Sequence, residues 1–81
     1  MKQMQTGKMY RITFPGTEVI CRYKESSTTE HRFFSHLHYW NGFEKYLSGG
    51  YCVQAGIENI RDASGSEKHN LFRFEVEAGD V

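Results

Sequence analysis

Hydrophobic and polar positions alternate with a period of two along much of this chain. Over residues 8–14, Tyr10, Ile12 and Phe14 share one phase while Met9, Arg11 and Thr13 share the other, the pattern of a half-buried strand. Pro15-Gly16 then imposes a turn. A second strand is predicted over 18–25, with Val19, Cys21 and Tyr23 on one side and Ile20, Arg22 and Lys24 on the other. The polar run 25–30 reads as an exposed loop. A third strand over 31–40 places Phe33, Ser35, Leu37 and Tyr39 on one face, and Arg32, Phe34, His36, His38 and Trp40 on the other.

After Trp40 the pattern supports two continuations. Asn41-Gly42 between aromatic residues is a strong hairpin signal and predicts a strand over 43–47. The alternative is a short helix over 42–48, capped by Asn41 with Glu44 three residues on and stopped at Gly49. Further on, 51–54 reads as a short strand with Tyr51 and Val53 inward. Residues 56–60 read as a tight turn that inserts Ile57 and Ile60 into the core. Residues 63–70 look like a polar loop, and 71–77 like a last strand with Phe72, Phe74 and Val76 on one face. Residues 1–6 and 78–81 are expected to fray.

These elements amount to one mainly β domain of five to six short antiparallel strands, a small barrel or rolled sheet. The order of elements over residues 8–63 resembles the SH3-like barrels, with two opening strands, a long third strand, and a short strand followed by Gly56-Ile57-Glu58-Asn59-Ile60 near the end. That resemblance implies a binding module whose partner is a peptide, a nucleic acid or a small ligand. The acidic groove and proline-reading aromatics of the peptide-binding members have no counterpart that maps residue by residue. Fold alone does not deliver function.

Composition narrows the class. At 81 residues the chain is one small domain with little surplus core, and a 15% aromatic content compensates for that. The aromatics are not spread evenly: six of the twelve, with three of the four histidines, fall within 31–46. One Pro and two Cys exclude collagen-like and disulfide-scaffold classes. No apolar leader or membrane-length window is present, so a cytoplasmic protein of the producing or a host cell is expected, with Cys21 and Cys52 as free thiols. A Cys21–Cys52 bond would form only in a secreted protein. Formal net charge is zero, yet residues 1–45 carry seven basic and four acidic side chains, and 46–81 carry three and six. A strong nonspecific nucleic-acid binder would be far more basic.

Candidate chemistry is sparse. His36 and His38, two apart on a strand, point to one side and could share a metal with Cys52, but no full ligand set is spelled out. No nucleophile elbow, phosphate-cradling loop or dinucleotide fingerprint occurs, so no enzyme activity and no cofactor are expected. The more informative lead is a face that the strand phases assemble from Arg11, Arg22, Lys24, Arg32, Phe34, His36, His38 and Trp40. Aromatic rings mixed with arginine suit a protein interface. The same mixture suits a nucleotide or a short single strand, with rings stacking on bases and cations meeting phosphates. The bland alternative puts Phe34 and Trp40 inside the core.

The expectation is therefore a small non-enzymatic protein that recognises a protein partner or pairs with a second copy, with no role at a membrane. Binding of an anionic nucleotide or single strand is the alternative. Short chains without catalytic motifs often serve as inhibitors or accessory factors of phages and mobile elements, a class that rests on no particular residue here.

Overall fold

The structure, a computed structural model, describes residues 3–81. Its strands are β1 (Met9–Phe14), β2 (Thr17–Ser26), β3 (Glu30–Trp40), β4 (Phe43–Ser48), β5 (Tyr51–Val53) and β6 (Asn59–Asp62), followed by one helix, α1 (Gly65–Ala78). All pairings are antiparallel, in the order β4-β3-β2-β1-β6, with β5 alongside the first residues of β3. β4 and β6 end the sheet on opposite sides, so it does not close into a barrel. The fold is a six-stranded antiparallel sheet with a C-terminal helix.

The choice left open after Trp40 falls to the hairpin. Asn41 (φ 48°) and Gly42 (φ 78°) both occupy the left-handed region, as a two-residue type I′ turn demands. Trp40 then faces Phe43, and β4 runs back along β3 as far as Ser48 opposite Ser35. No helix forms over 42–48.

The expected loop over 63–70 and strand over 71–77 are instead a single helix. Ser64 caps it, accepting from the Glu67 amide, while the Glu67 carboxylate accepts from the Ser64 amide. Gly79, in the left-handed conformation, ends it. Phe72 and Val76, which alternation placed inward, are exposed, and the buried stripe runs through Leu71 and Glu75. The expected fraying at residues 1 and 2 lies outside the described residues.

Each face of the sheet carries its own cluster. On the helix face Met9, Ile20 and Leu37 pack with Ala63 and Leu71, flanked by Tyr39, Tyr46 and Phe74. On the front face lie Tyr10, Ile12, Val19, Cys21, Tyr23 and Phe33. That second cluster is closed by Met4, by Cys52 and by Ile57, on the segment that carries the chain from β5 beside β3 to β6 beside β1. Ile57 and Ile60 do pack against this core, but β5 has the reverse of the expected phase. Cys52 faces inward opposite His31, while Tyr51 and Val53 are exposed.

Two bulges decide which β3 residues meet which face. Arg22 pairs with Ser35 but Tyr23 with Phe33, leaving Phe34 extra on β3. Glu25 then pairs with Arg32, leaving Lys24 extra on β2. The two surplus residues meet, with Lys24 Nζ 5.7 Å from the Phe34 ring centre.

Candidate functional site

The eight residues expected to form one face are divided among three places. Arg11 and Arg22 lie on the helix face, beneath α1. Arg22 donates from Nε (2.8 Å) and Nη2 (2.9 Å) to the Glu75 carboxylate, which is only 1% exposed and also accepts from Ser35 Oγ at 2.6 Å. Burial pushes the Glu75 carboxyl up, but the Arg22 and Ser35 bonds outweigh it and hold the group below its ordinary value. Arg11 donates to Glu18 and, at 3.0 Å, to Glu67, which Arg61 grips with two bonds of 2.9 Å. The Arg61 guanidinium, opposed by burial and assisted by the Ser64 amide, brings the Glu67 carboxyl down to about 2. These cations tie the helix to the sheet.

Lys24, Arg32 and Phe34 form a second group at the bulges, all exposed. Arg32 bonds Glu30 at 2.8 Å, and beside it lies an open depression of about 370 Å³ that includes Lys24, Tyr51 and the Gly49-Gly50 backbone.

The third place is the front face of β3, where pairing with Cys21, Val19 and Thr17 puts His36, His38 and Trp40. They are thus on the opposite side of the sheet from Arg11 and Arg22. His36 is buried and its Nδ1–H donates to the Gly49 carbonyl at 2.9 Å. Gly50 packs against the same ring so closely that an added Cβ would lie 2.3 Å from Cε1. Burial lowers the His36 pKa, against the opposing pull of that carbonyl. The Thr17 hydroxyl donates to the Tyr39 carbonyl, so it accepts from His38 Nε2–H at 2.7 Å. His38 lies against Trp40, with ring centres 4.7 Å apart.

Neither cysteine is poised as a thiolate. Cys21 and Cys52 are free. Burial pushes the Cys52 thiol up to about 11 and Cys21 well above the usual thiol range, so both stay protonated. Among the described residues no group of three or more His, Cys, Asp or Glu is placed to hold a metal ion. The combination of His36, His38 and Cys52 does not assemble: one ring is tied to Gly49, the other to Thr17, and Cys52 faces His31.

What the structure leaves open is the front face from Trp40 across β4. On the β1–β2 side of that face Ile57 packs over the core, from a segment bonded to Thr29 at one end and to Thr13 at the other. Trp40 and Phe34, whose place the sequence left undecided, are both exposed, at 36% and 46%. Phe43 is 67% exposed, its ring 6.4 Å from that of Trp40, and Leu47 is the next large apolar residue along β4 on the same side. Phe43 and Leu47 escaped the sequence reading because the hairpin and helix alternatives gave them different neighbours. The patch runs into an open groove of about 610 Å³ between the β1–β2 and β3–β4 turns, where Phe14, Thr17, Trp40 and Phe43 line one side and Glu18 and Glu44 the other. No protein-family model, curated protein or solved structure matches the chain significantly.

Proposed function

We propose that this protein is a non-catalytic recognition module that docks on a partner protein through the open aromatic half of its sheet. One observation carries the reading. The arginines that a phosphate-reading surface would need, Arg11 and Arg22, spend their charge on Glu18, Glu67 and Glu75, whereas Trp40, Phe43 and Leu47 remain exposed. A protein interface draws its affinity from such aromatic anchors, and truncating one at the centre costs ~2 kcal/mol or more. No helix among the described residues is long and apolar enough to cross a membrane.

The test compares the wild type with a Trp40→Ser/Phe43→Ser variant as immobilised bait in an extract of the cells that make the protein. A discrete protein retained by the wild type, resistant to 0.5 M salt (about 4 Å Debye length) and lost with the variant is the expected result. Retention that survives the double substitution removes the reading.

A second reading concerns Lys24 and Arg32 beside Tyr51, where cations and an exposed ring border one depression. An anionic ligand held there would be lost with Lys24→Glu and with rising salt. Arg22 is not a residue with which to test it, because Arg22→Glu would set a second carboxylate against buried Glu75 and unfold the protein instead.

A further inference from the structure

β4 is the last strand on its side of the sheet, and its hydrogen-bonding phase is fixed. In a hairpin closed by a two-residue turn the residues flanking the turn exchange both bonds, and every second pair along the ladder does the same. Trp40 and Phe43 are that first pair, and the Gly49 N–H to Phe34 C=O bond of 2.6 Å continues the same phase. Phe43, Lys45 and Leu47 therefore bond inward to β3. The N–H and C=O groups of Glu44, Tyr46 and Ser48 face outward, where no strand of the sheet lies.

On the front face β4 presents Phe43, Lys45 and Leu47 in a row, beside Trp40 and His38. Among the described residues no carboxylate pairs with Lys45. From this juxtaposition we infer that the β4 edge takes up an extended segment of the partner protein as an added antiparallel strand, with an acidic residue opposite Lys45 and aliphatic residues opposite Phe43 and Leu47. The inference rests on the protein-recognition reading and specifies its mode. Main-chain bonds to Glu44, Tyr46 and Ser48 give affinity, and the alternating side chains give register. A second copy of this chain is not the occupant that the charge pattern fits. Two-fold pairing of β4 with itself matches front face to front face, and that face offers Lys45 no carboxylate.

The probe is the peptide acetyl-Ser-Val-Thr-Glu-Thr-Val-Ser-amide, with three controls: its Glu→Lys analogue, the same peptide N-methylated at both Thr, and a Lys45→Glu protein. Trp40, the one tryptophan of the chain, reports binding by fluorescence, and hydrogen exchange at Glu44, Tyr46 and Ser48 reports the ladder. The inference expects saturable binding at up to millimolar peptide, with exchange of the Tyr46 amide slowed about tenfold or more as it acquires a ladder partner. It expects several-fold weaker binding of the Lys analogue, recovered with Lys45→Glu, and none of the N-methylated peptide. Equal binding of the plain and N-methylated peptides would keep the face as a docking site and overturn strand addition. Absence of binding at millimolar peptide overturns strand addition too, while partner capture by Trp40 and Phe43 stands or falls separately. Protection of the Tyr46 amide in the free protein that rises with its concentration would assign the edge to a second copy and overturn the inference.

Discussion

Replacing Glu75 with glutamine removes one charge from the joint between helix and sheet and almost nothing else. A carboxylate in the last turn of a helix is locally unfavourable, since it meets the negative end of the helix dipole, and the last turn of α1 contains no basic residue. Its place there has a tertiary reason: two bonds from Arg22 and one from Ser35, all between 2.6 and 2.9 Å. Breaking a buried ion pair from one side costs about 3–5 kcal/mol. The Arg22 side chain is 26% exposed and can turn partly to water, and the glutamine oxygen can still accept one bond, so roughly 2 kcal/mol is expected. For a domain of this size that lowers Tm by about 8–16 °C. The assay is thermal unfolding followed by far-ultraviolet circular dichroism, with Glu77→Gln on the exposed side of the same helix as a control expected to stay within about 0.5 kcal/mol. The triple variant Arg22→Met/Ser35→Ala/Glu75→Leu should regain most of the loss, because an apolar set of similar volume leaves neither a charge nor the buried Ser35 hydroxyl without its partner. A Glu75→Gln shift no larger than that of Glu77→Gln would refute the argument that this ion pair anchors α1.

Other consequences are as direct. Gly50→Ala should cost about 2–3 kcal/mol, since its φ of 107° disfavours a side chain and the new Cβ meets the His36 ring. Combining it with His36→Ala should recover the steric part, and a purely additive double variant in urea unfolding would contradict the contact. Acid should weaken the fold in two stages. His31, whose buried Nε2 has no partner among the described residues, and His36 both have lowered pKa values, so the unfolded chain binds protons first and stability falls as pH drops below about 6.5. Glu67 and Glu75 are lowered as well, so their contributions, complete above about 4.5, are lost as pH falls further, for Glu67 towards about 2. Urea midpoints measured from pH 8 to 2 check both stages, and the first should vanish in a His31→Phe/His36→Ala background. Trp40→Ser/Phe43→Ser should lower Tm by no more than about 8 °C, since two exposed positions at about 0.5 kcal/mol each carry little stability, while lowering partner affinity about thirtyfold or more; a larger stability loss would make these residues core rather than surface.

Much of the fold was legible because β1 and β2 alternate without interruption and Asn41-Gly42 names its own turn. The failures have separate causes. At 71–77 the alternation of Phe72, Phe74 and Val76 resembles a strand, and the Ser64-x-x-Glu67 capping box with Gly79 beyond was the signal that outweighed it. Between β2 and β3, single-residue bulges at Phe34 and Lys24 change the phase without leaving any mark in the hydrophobic pattern. The assumption that polar positions share one outward face also failed, because this sheet is covered on both sides, by α1 on one and by residues 54–58 on part of the other. Arg11 and Arg22 are therefore interior ties and not ligand contacts. Trp40, whose place the pattern left open, is exposed beside His38 but away from the arginines, and Phe43 and Leu47 join it because β4 is a strand.

The central claim, that the open aromatic half of the sheet is where a partner protein docks, is tested most directly by photo-crosslinking. Benzoylphenylalanine is placed at Phe43, or at Phe72, which is exposed on the helix instead, and the protein is irradiated in the cells that make it. The account predicts one discrete protein adduct from position 43 and none from position 72. An adduct from position 72 alone, or a nucleic-acid adduct from position 43, would contradict it.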